Sequence, residues 1–296
     1  MSTKNSVIHA PDLEFAPGLK LDLSFPPDGQ QRAGVVVWLH GGAWRVGDRT
    51  LAPDLGRYFA ERGLIMASID YRLSGDAVFP AQLQDVQAAV RWLVADPLGL
   101  GTAGHPIALW GSSAGGHLAA LCGVTAAESM NIVAVVDGYG PSDLLATDQD
   151  VPPTRGLLGA APADAAELAR EASPAHRVHA AAPSILILHG TGDTLVPASQ
   201  SVALYEAYER AGADAVLYLI DGFGHGFFNP AGGDELPGLP LDSGRLESEP
   251  NAPATVRATR QERLAKLPAS ASFDLVYRFI AAECASASAR PPFTKE

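Results

Sequence analysis

Six short apolar runs, each parted from the next by a longer polar or helical stretch, constrain this chain more than any other feature. They are GVVVWLH (34–40), LIMASIDY (64–71), PIALWGS (106–112), IVAVVDGYG (132–140), SILILHG (184–190) and AVLYLID (215–221). Apolar residues stand at consecutive positions in them, not at alternate ones. A strand reads that way when both of its faces are covered, as in a parallel sheet. The intervening helix candidates are LAPDLGRYFAERG (51–63), PAQLQDVQAAVRWLVAD (80–96), SAGGHLAALCGVTAA (113–127) and PASQSVALYEAYERAG (197–212), with SFDLVYRFIAAECA (272–285) as a closing helix. In the second, Leu83, Val86, Val90, Leu93 and Val94 recur at helical spacing. Strands alternating with helices predict an α/β fold: a doubly wound, mostly parallel sheet with helices on both faces.

The length of 296 residues is read as one domain spanning 1–296. Two stretches break its rhythm. Residues 148–179 are rich in Pro and Ala, with a helical piece near 163–172. Residues 229–268 are rich in Gly, Pro, Ser and charge, and long for a plain loop. Both are read as cap or lid insertions.

The formal net charge of −12 suits neither a phosphate backbone nor an anionic membrane, so no nucleic-acid partner is expected. No apolar run reaches the ~18 residues of a membrane span. The start, MSTKNSVIHAPDLEF, lacks a basic segment followed by an apolar core, so no signal peptide is read. Two cysteines, Cys122 and Cys284, fit a reducing cytoplasm better than a disulfide scaffold.

Gly111-Ser112-Ser113-Ala114-Gly115 matches G-x-S-x-G where a strand gives way to a helix. That context is the nucleophile elbow, whose tight turn lifts the central hydroxyl above the sheet edge. A serine hydroxyl needs a base, and the base needs a carboxylate to orient it. Asp193 follows one strand in HGTGDTLVP and His225 follows the next in DGFGHGF, in the order Ser, Asp, His. Both sit in loops at strand carboxyl ends, where such sheets bind ligands. Asp137, Asp143 and Asp221 are alternative acids; Asp193 is preferred. His117 is read onto the helix after the nucleophile, and His189 at a strand end. His176 and His179 have helical metal spacing but no third ligand in view, so no metal is expected.

The tetrahedral intermediate needs backbone donors. The N–H of Ala114, directly after the nucleophile, is one candidate. His40-Gly41-Gly42-Ala43-Trp44, just past an earlier strand, supplies Gly42 and Ala43 as the others. Trp44 either walls the acyl pocket or packs beneath the loop.

With these residues in view, the chain resembles the α/β-hydrolases, specifically the feruloyl-esterase-like (BD-FAE) group and the related hormone-sensitive-lipase-like esterases. The matching stretches are LHGGAW, IDYRLS, FPAQLQDVQAAVRWL, GSSAGGHLAAL, DGYGPSDLL, LHGTGDTLVP and GFGHGF. Ala43 and Ser112 stand where hormone-sensitive-lipase-like members usually carry glycine and aspartate, so the feruloyl-esterase-like group is the better fit. The resemblance implies a serine carboxyl-ester hydrolase acting on short-chain or aryl esters through an acyl-enzyme. Ser113 would be nucleophile, Asp193 acid and His225 base, with a small-molecule ester as substrate and no cofactor. Relatives often pair through the final helix, which makes a homodimer an expectation. Two rival readings keep the fold. One is an amide or formamide hydrolase with the same triad; the other is a non-catalytic binding protein, against which the intact triad argues.

Overall fold

The computed structural model describes residues 6–233 and 235–289; the first five residues of the chain's start lie outside it. Ten strands form one sheet. They are β1 (Ile8–Ala16), β2 (Leu19–Phe25), β3 (Gly34–Leu39), β4 (Leu64–Ile69), β5 (Ile107–Ser112), β6 (Ile132–Gly138), β7 (Ser184–Gly190), β8 (Ala215–Ile220), β9 (Ala252–Ala258) and β10 (Ser270–Ala271). Their spatial order is β1-β2-β4-β3-β5-β6-β7-β8-β9-β10. The six runs read from sequence are β3 to β8, and these pair in parallel. Antiparallel strands close both edges.

The helices are α1 (Leu55–Tyr58), α2 (Ala81–Ala95), α3 (Ala114–Thr125), α4 (Pro152–Leu158), α5 (Ala166–Glu171), α6 (Ser199–Ala211), α7 (Arg245–Ser248), α8 (Gln261–Leu264) and α9 (Phe273–Ser288). Side chains alternate across a strand, and β3 displays this on both faces. Val35, Val37 and Leu39 belong to the apolar cluster that includes residues of α2, α3 and α6, while Val36 and Trp38 belong to the one that includes residues of α1 and α9. Two covered faces are why the central strands read as unbroken apolar runs. Among the described residues no helix is long and apolar enough to cross a membrane.

The edge strands depart from the sequence reading. β2 alternates, with Leu21, Leu23 and Phe25 buried. β1 is largely exposed and carries Asp12 at φ 60°. β9 lies inside the stretch read as a lid and runs antiparallel along β8, pairing Ile220 with Ala254 and Val216 with Ala258. Residues 252–258 are therefore sheet. The predicted helix over 51–63 is reduced to the four-residue α1 and a 3-10 turn at 60–62, with Gly63 left-handed at φ 98° after it.

Trp110 on β5 anchors the α9 face. It is fully buried, with its ring 4.5 Å from that of Trp38 and 4.8 Å from that of Phe59. Trp110→Ala is expected to lower the unfolding free energy by about 3–5 kcal/mol through cavity formation. Trp110→Phe is expected to cost less than half as much, because the indole N–H has no partner among the described residues. Urea denaturation of the two variants measures the difference.

Candidate active site

β5 ends at Ser112 and α3 begins at Ala114, so Ser113 turns the chain alone. It takes φ 53° and ψ −119°, a strained conformation costing a non-glycine residue roughly 1–3 kcal/mol. Its N–H donates to the Gly138 carbonyl at 2.7 Å. The crowding explains the glycines around it. A Cβ on Gly115 would stand 2.0 Å from the Leu39 carbonyl oxygen, and one on Gly111 would stand 2.3 Å from the Gly115 backbone.

The turn aims the Ser113 hydroxyl at His225. Oγ lies 2.8 Å from His225 Nε2, and His225 Nδ1 lies 2.6 Å from Asp193 Oδ2. A carboxylate at Nδ1 requires the proton there, which leaves Nε2 to accept from the serine. Asp193 Oδ1 accepts the N–H groups of Leu195 and Val196 at 2.9 and 3.0 Å. His189, at the end of β7, adds a second imidazole: its Nε2 is 2.9 Å from the Val196 carbonyl and 3.3 Å from Asp193 Oδ2.

Burial by itself would push the Asp193 carboxyl up. The hydrogen bonds from His189 and His225 outweigh it and hold the group well below the usual carboxylate range. For His225, burial pushes the imidazole down, but the Asp193 bond and the negative charges of Asp193 and Glu235 outweigh it. The net direction is above the ordinary imidazole range.

The alternative acids lie elsewhere. Asp137 is buried under the elbow, where it accepts the Gly140 N–H at 3.0 Å, and burial pushes its carboxyl up to about 7. Asp143 pairs with His176 at 2.9 Å. Asp221 is exposed at the end of β8.

The loop after β3 carries three consecutive left-handed residues, Gly42 at φ 112°, Ala43 at 54° and Trp44 at 58°. Here the donor assignment read from sequence is corrected in part. The Gly42 N–H donates to Glu235 Oε1 at 2.9 Å and so is already occupied. The N–H groups of Ala43 and Ala114 have no hydrogen-bond partner among the described residues, and both residues line the cavity above Ser113. Trp44 makes two kinds of contact. It lines the cavity, and its indole N–H donates to His117 Nδ1 at 3.2 Å. His117 in turn donates from Nε2 to the Ala172 carbonyl at 2.7 Å, and burial pushes its imidazole down to about 4.

The cavity holding Ser113 and His225 has a volume of about 340 Å³. Its walls come from both stretches that broke the sequence rhythm: Val151 and Pro153 from one, Leu236 and Leu239 from the other. Arg45 is its one cationic wall residue, and no carboxylate lines it among the described residues. A larger groove of about 700 Å³ runs over Tyr58, Arg62 and Phe273, and among the described residues no histidine lines it.

The BD-FAE family model matches residues 21–208. This chain belongs to the BD-FAE family. It is 33% identical over 217 residues to esterase LipC of Mycobacterium tuberculosis, a match covering 66% of this chain and 53% of LipC. The chain thus spans about half the length of the curated relatives it matches. Among solved structures it resembles a truncated form of a carbohydrate esterase from gut microbiota, with TM-score 0.69 and 26% identity over 79% of this chain and 95% of the other. It also resembles Thermogutta terrifontis esterase 2 phosphonylated by sarin, with TM-score 0.62 and 29% identity over 79% of this chain and 90% of the other. The architecture is the α/β-hydrolase fold.

The sequence reading placed His189 at a strand end without giving it a role and did not name Glu235. His189 carried a signal, since it stands four positions before Asp193 across a glycine turn. Glu235 carried none: its partner Gly42 is 193 positions away, and no periodicity marks the stretch between β8 and β9.

Proposed function

We propose that this BD-FAE chain is a serine carboxyl-ester hydrolase working through an acyl-enzyme. The observation that carries this reading is the unbroken hydrogen-bonded series Ser113–His225–Asp193 opening into a cavity beside two unpartnered backbone donors. His225 Nε2 takes the hydroxyl proton as Ser113 Oγ attacks the ester carbonyl. The N–H groups of Ala43 and Ala114 receive the oxyanion. The alcohol leaves with the proton from Nε2, and water repeats the attack on the acyl-enzyme. Asp193 holds the productive tautomer and stabilises the imidazolium.

The cavity supports a short-chain or aryl ester without positive charge: it is small, walled by Trp44, Pro141, Leu195, Leu236 and Leu239, and among the described residues no carboxylate lines it. Residues 148–179 and the part of 229–268 that precedes β9 are proposed as the cap that closes it. The two cysteines are free and buried, which fits a cytoplasmic enzyme. The apolar residues of α9, among them Phe273, Leu275, Val276 and Phe279, are spent in the core. A homodimer through this helix would therefore use its polar face.

A fluorophosphonate probe is expected to add one label, at Ser113, located by peptide mass; an unlabelled protein would overturn the hydrolase reading. The pH profile is a second test. Only neutral His225 can act as base, and its raised pKa keeps it protonated to higher pH. The value of kcat/KM is therefore expected to rise with pH through a midpoint above about 6.5. A midpoint below that of free imidazole would contradict the electrostatics described above.

A further inference from the structure

Glu235 reaches into the protein from the excursion between β8 and β9. Its carboxylate is 1% exposed. Oε1 accepts the Gly42 N–H at 2.9 Å and Oε2 accepts Asn229 Nδ2 at 2.6 Å. No lysine or arginine pairs with it among the described residues. A buried carboxylate held by neutral donors alone is costly for a fold to keep. The loop after β3 is built around it: a Cβ on Gly41 would stand 1.9 Å from Oε1, so Gly41 leaves room for the carboxylate.

The loop needs such an anchor. Three successive left-handed residues persist only where the surroundings over-determine them. At the far end the Trp44 carbonyl accepts the Ser74 N–H at 2.7 Å, and the Trp44 indole is tied to His117. At the near end the Gly42 carbonyl accepts the Arg45 and Val46 N–H groups at 2.9 and 3.1 Å. Before it, the Gly41 carbonyl meets His40 Nδ1 at 2.6 Å and the His40 carbonyl accepts the Tyr71 hydroxyl at 2.9 Å; the Gly42 N–H is the handle that faces the excursion, and Glu235 holds it. With that N–H turned to Glu235, the next one, on Ala43, is left without a partner at the cavity.

We propose that Glu235 is a positioning residue: it fixes the oxyanion loop through Gly42 and thereby aims the Ala43 N–H at the reacting carbonyl. The proposal rests on the serine-hydrolase reading. It also ties the proposed cap to the chemistry, because the excursion that supplies Leu236 and Leu239 to the cavity supplies the anchor of its oxyanion donor.

Two substitutions in the full chain separate reach from charge. Glu235→Asp keeps the charge but draws the carboxylate back by one methylene. Glu235→Gln keeps an oxygen for Gly42 and offers an N–H to the Asn229 Oδ1, which has no partner among the described residues. Losing one oxyanion donor outright costs about 10²–10³ in kcat, and displacing it costs less, so Glu235→Asp is expected to lower kcat by about 10- to 100-fold. Its KM for a chromogenic short-chain ester stays within about threefold, because the interaction acts in the transition state. Glu235→Gln is expected to keep kcat within about threefold and to move the acid limb of kcat/KM to lower pH.

That shift follows from the charges around His225. Asp193 contacts the imidazole directly, with His189 behind it, and the Tyr139 ring lies 4.7 Å away. Asp242 donates its N–H to the His225 carbonyl, and its carboxylate pairs with Arg245. Removing the negative charge of Glu235 leaves the imidazolium less stabilised. A wild-type kcat in Glu235→Asp, a defect confined to KM, or equal kcat losses in both variants would overturn the positioning role. Fluorophosphonate labelling keeps the two hypotheses apart: a wild-type protein that labels at Ser113 while Glu235→Asp turns over at full speed sinks only the role of Glu235, whereas a wild-type protein that does not label sinks the hydrolase reading itself.

Discussion

Ser113→Ala is expected to lower kcat toward a chromogenic short-chain ester by about 10⁶, to near the limit of detection. The size of the effect follows from the geometry. Ser113 Oγ is the hydroxyl within 2.8 Å of His225 Nε2, and the elbow turn that presents it belongs to that one residue. Alanine at this position leaves the oxyanion donors and the cavity in place, so binding survives while the acyl-enzyme cannot form. Ester hydrolysis by purified protein, with circular dichroism to check the fold, is the measurement. Retention of more than about one hundredth of the activity would remove Ser113 from the mechanism, since a triad lacking its nucleophile keeps only the contribution of binding and the oxyanion hole.

Asp193→Asn is expected to lower kcat by about 10⁴ with little change in fold. The hydrogen bonds around the side chain decide which way an amide would point. Oδ1 accepts two backbone N–H groups, from Leu195 and Val196. Only the amide oxygen can take that position. The amide nitrogen is then forced toward His225 Nδ1 and His189 Nε2. An N–H facing Nδ1 pushes the imidazole proton onto Nε2, where it points at Ser113 and blocks proton removal. The charge that supports the imidazolium is lost in the same step. Steady-state kinetics across pH would measure both effects. A wild-type rate would transfer the orienting role to another group, although Asp137, Asp143 and Asp221 all lie away from the imidazole.

The central sheet and the hydrogen-bonded series Ser113–His225–Asp193 were legible for local reasons. A strand covered on both faces needs apolar side chains at every position, so GVVVWLH and SILILHG announce themselves within a few residues. The elbow is legible because steric crowding around Ser113 leaves no choice at Gly111 and Gly115. The edge strands were not legible. β1 is exposed, and β9 is half-exposed within a stretch rich in glycine, proline and charge. Its identity as a strand comes from the partner β8, not from its own pattern.

The loop after β3 marks the boundary between the two kinds of information. His40-Gly41-Gly42-Ala43-Trp44 by itself determines that the backbone there is open to close approach, because small side chains are a local property; the left-handed angles at Ala43 and Trp44 are held by contacts from distant segments. Which N–H is left without a partner was decided by tertiary structure alone. Glu235 takes the Gly42 donor from 193 positions away, along a path that no periodicity encodes. A hydrogen bond between segments so distant depends on where the whole chain delivers a carboxylate, and that is fixed only when the fold is complete.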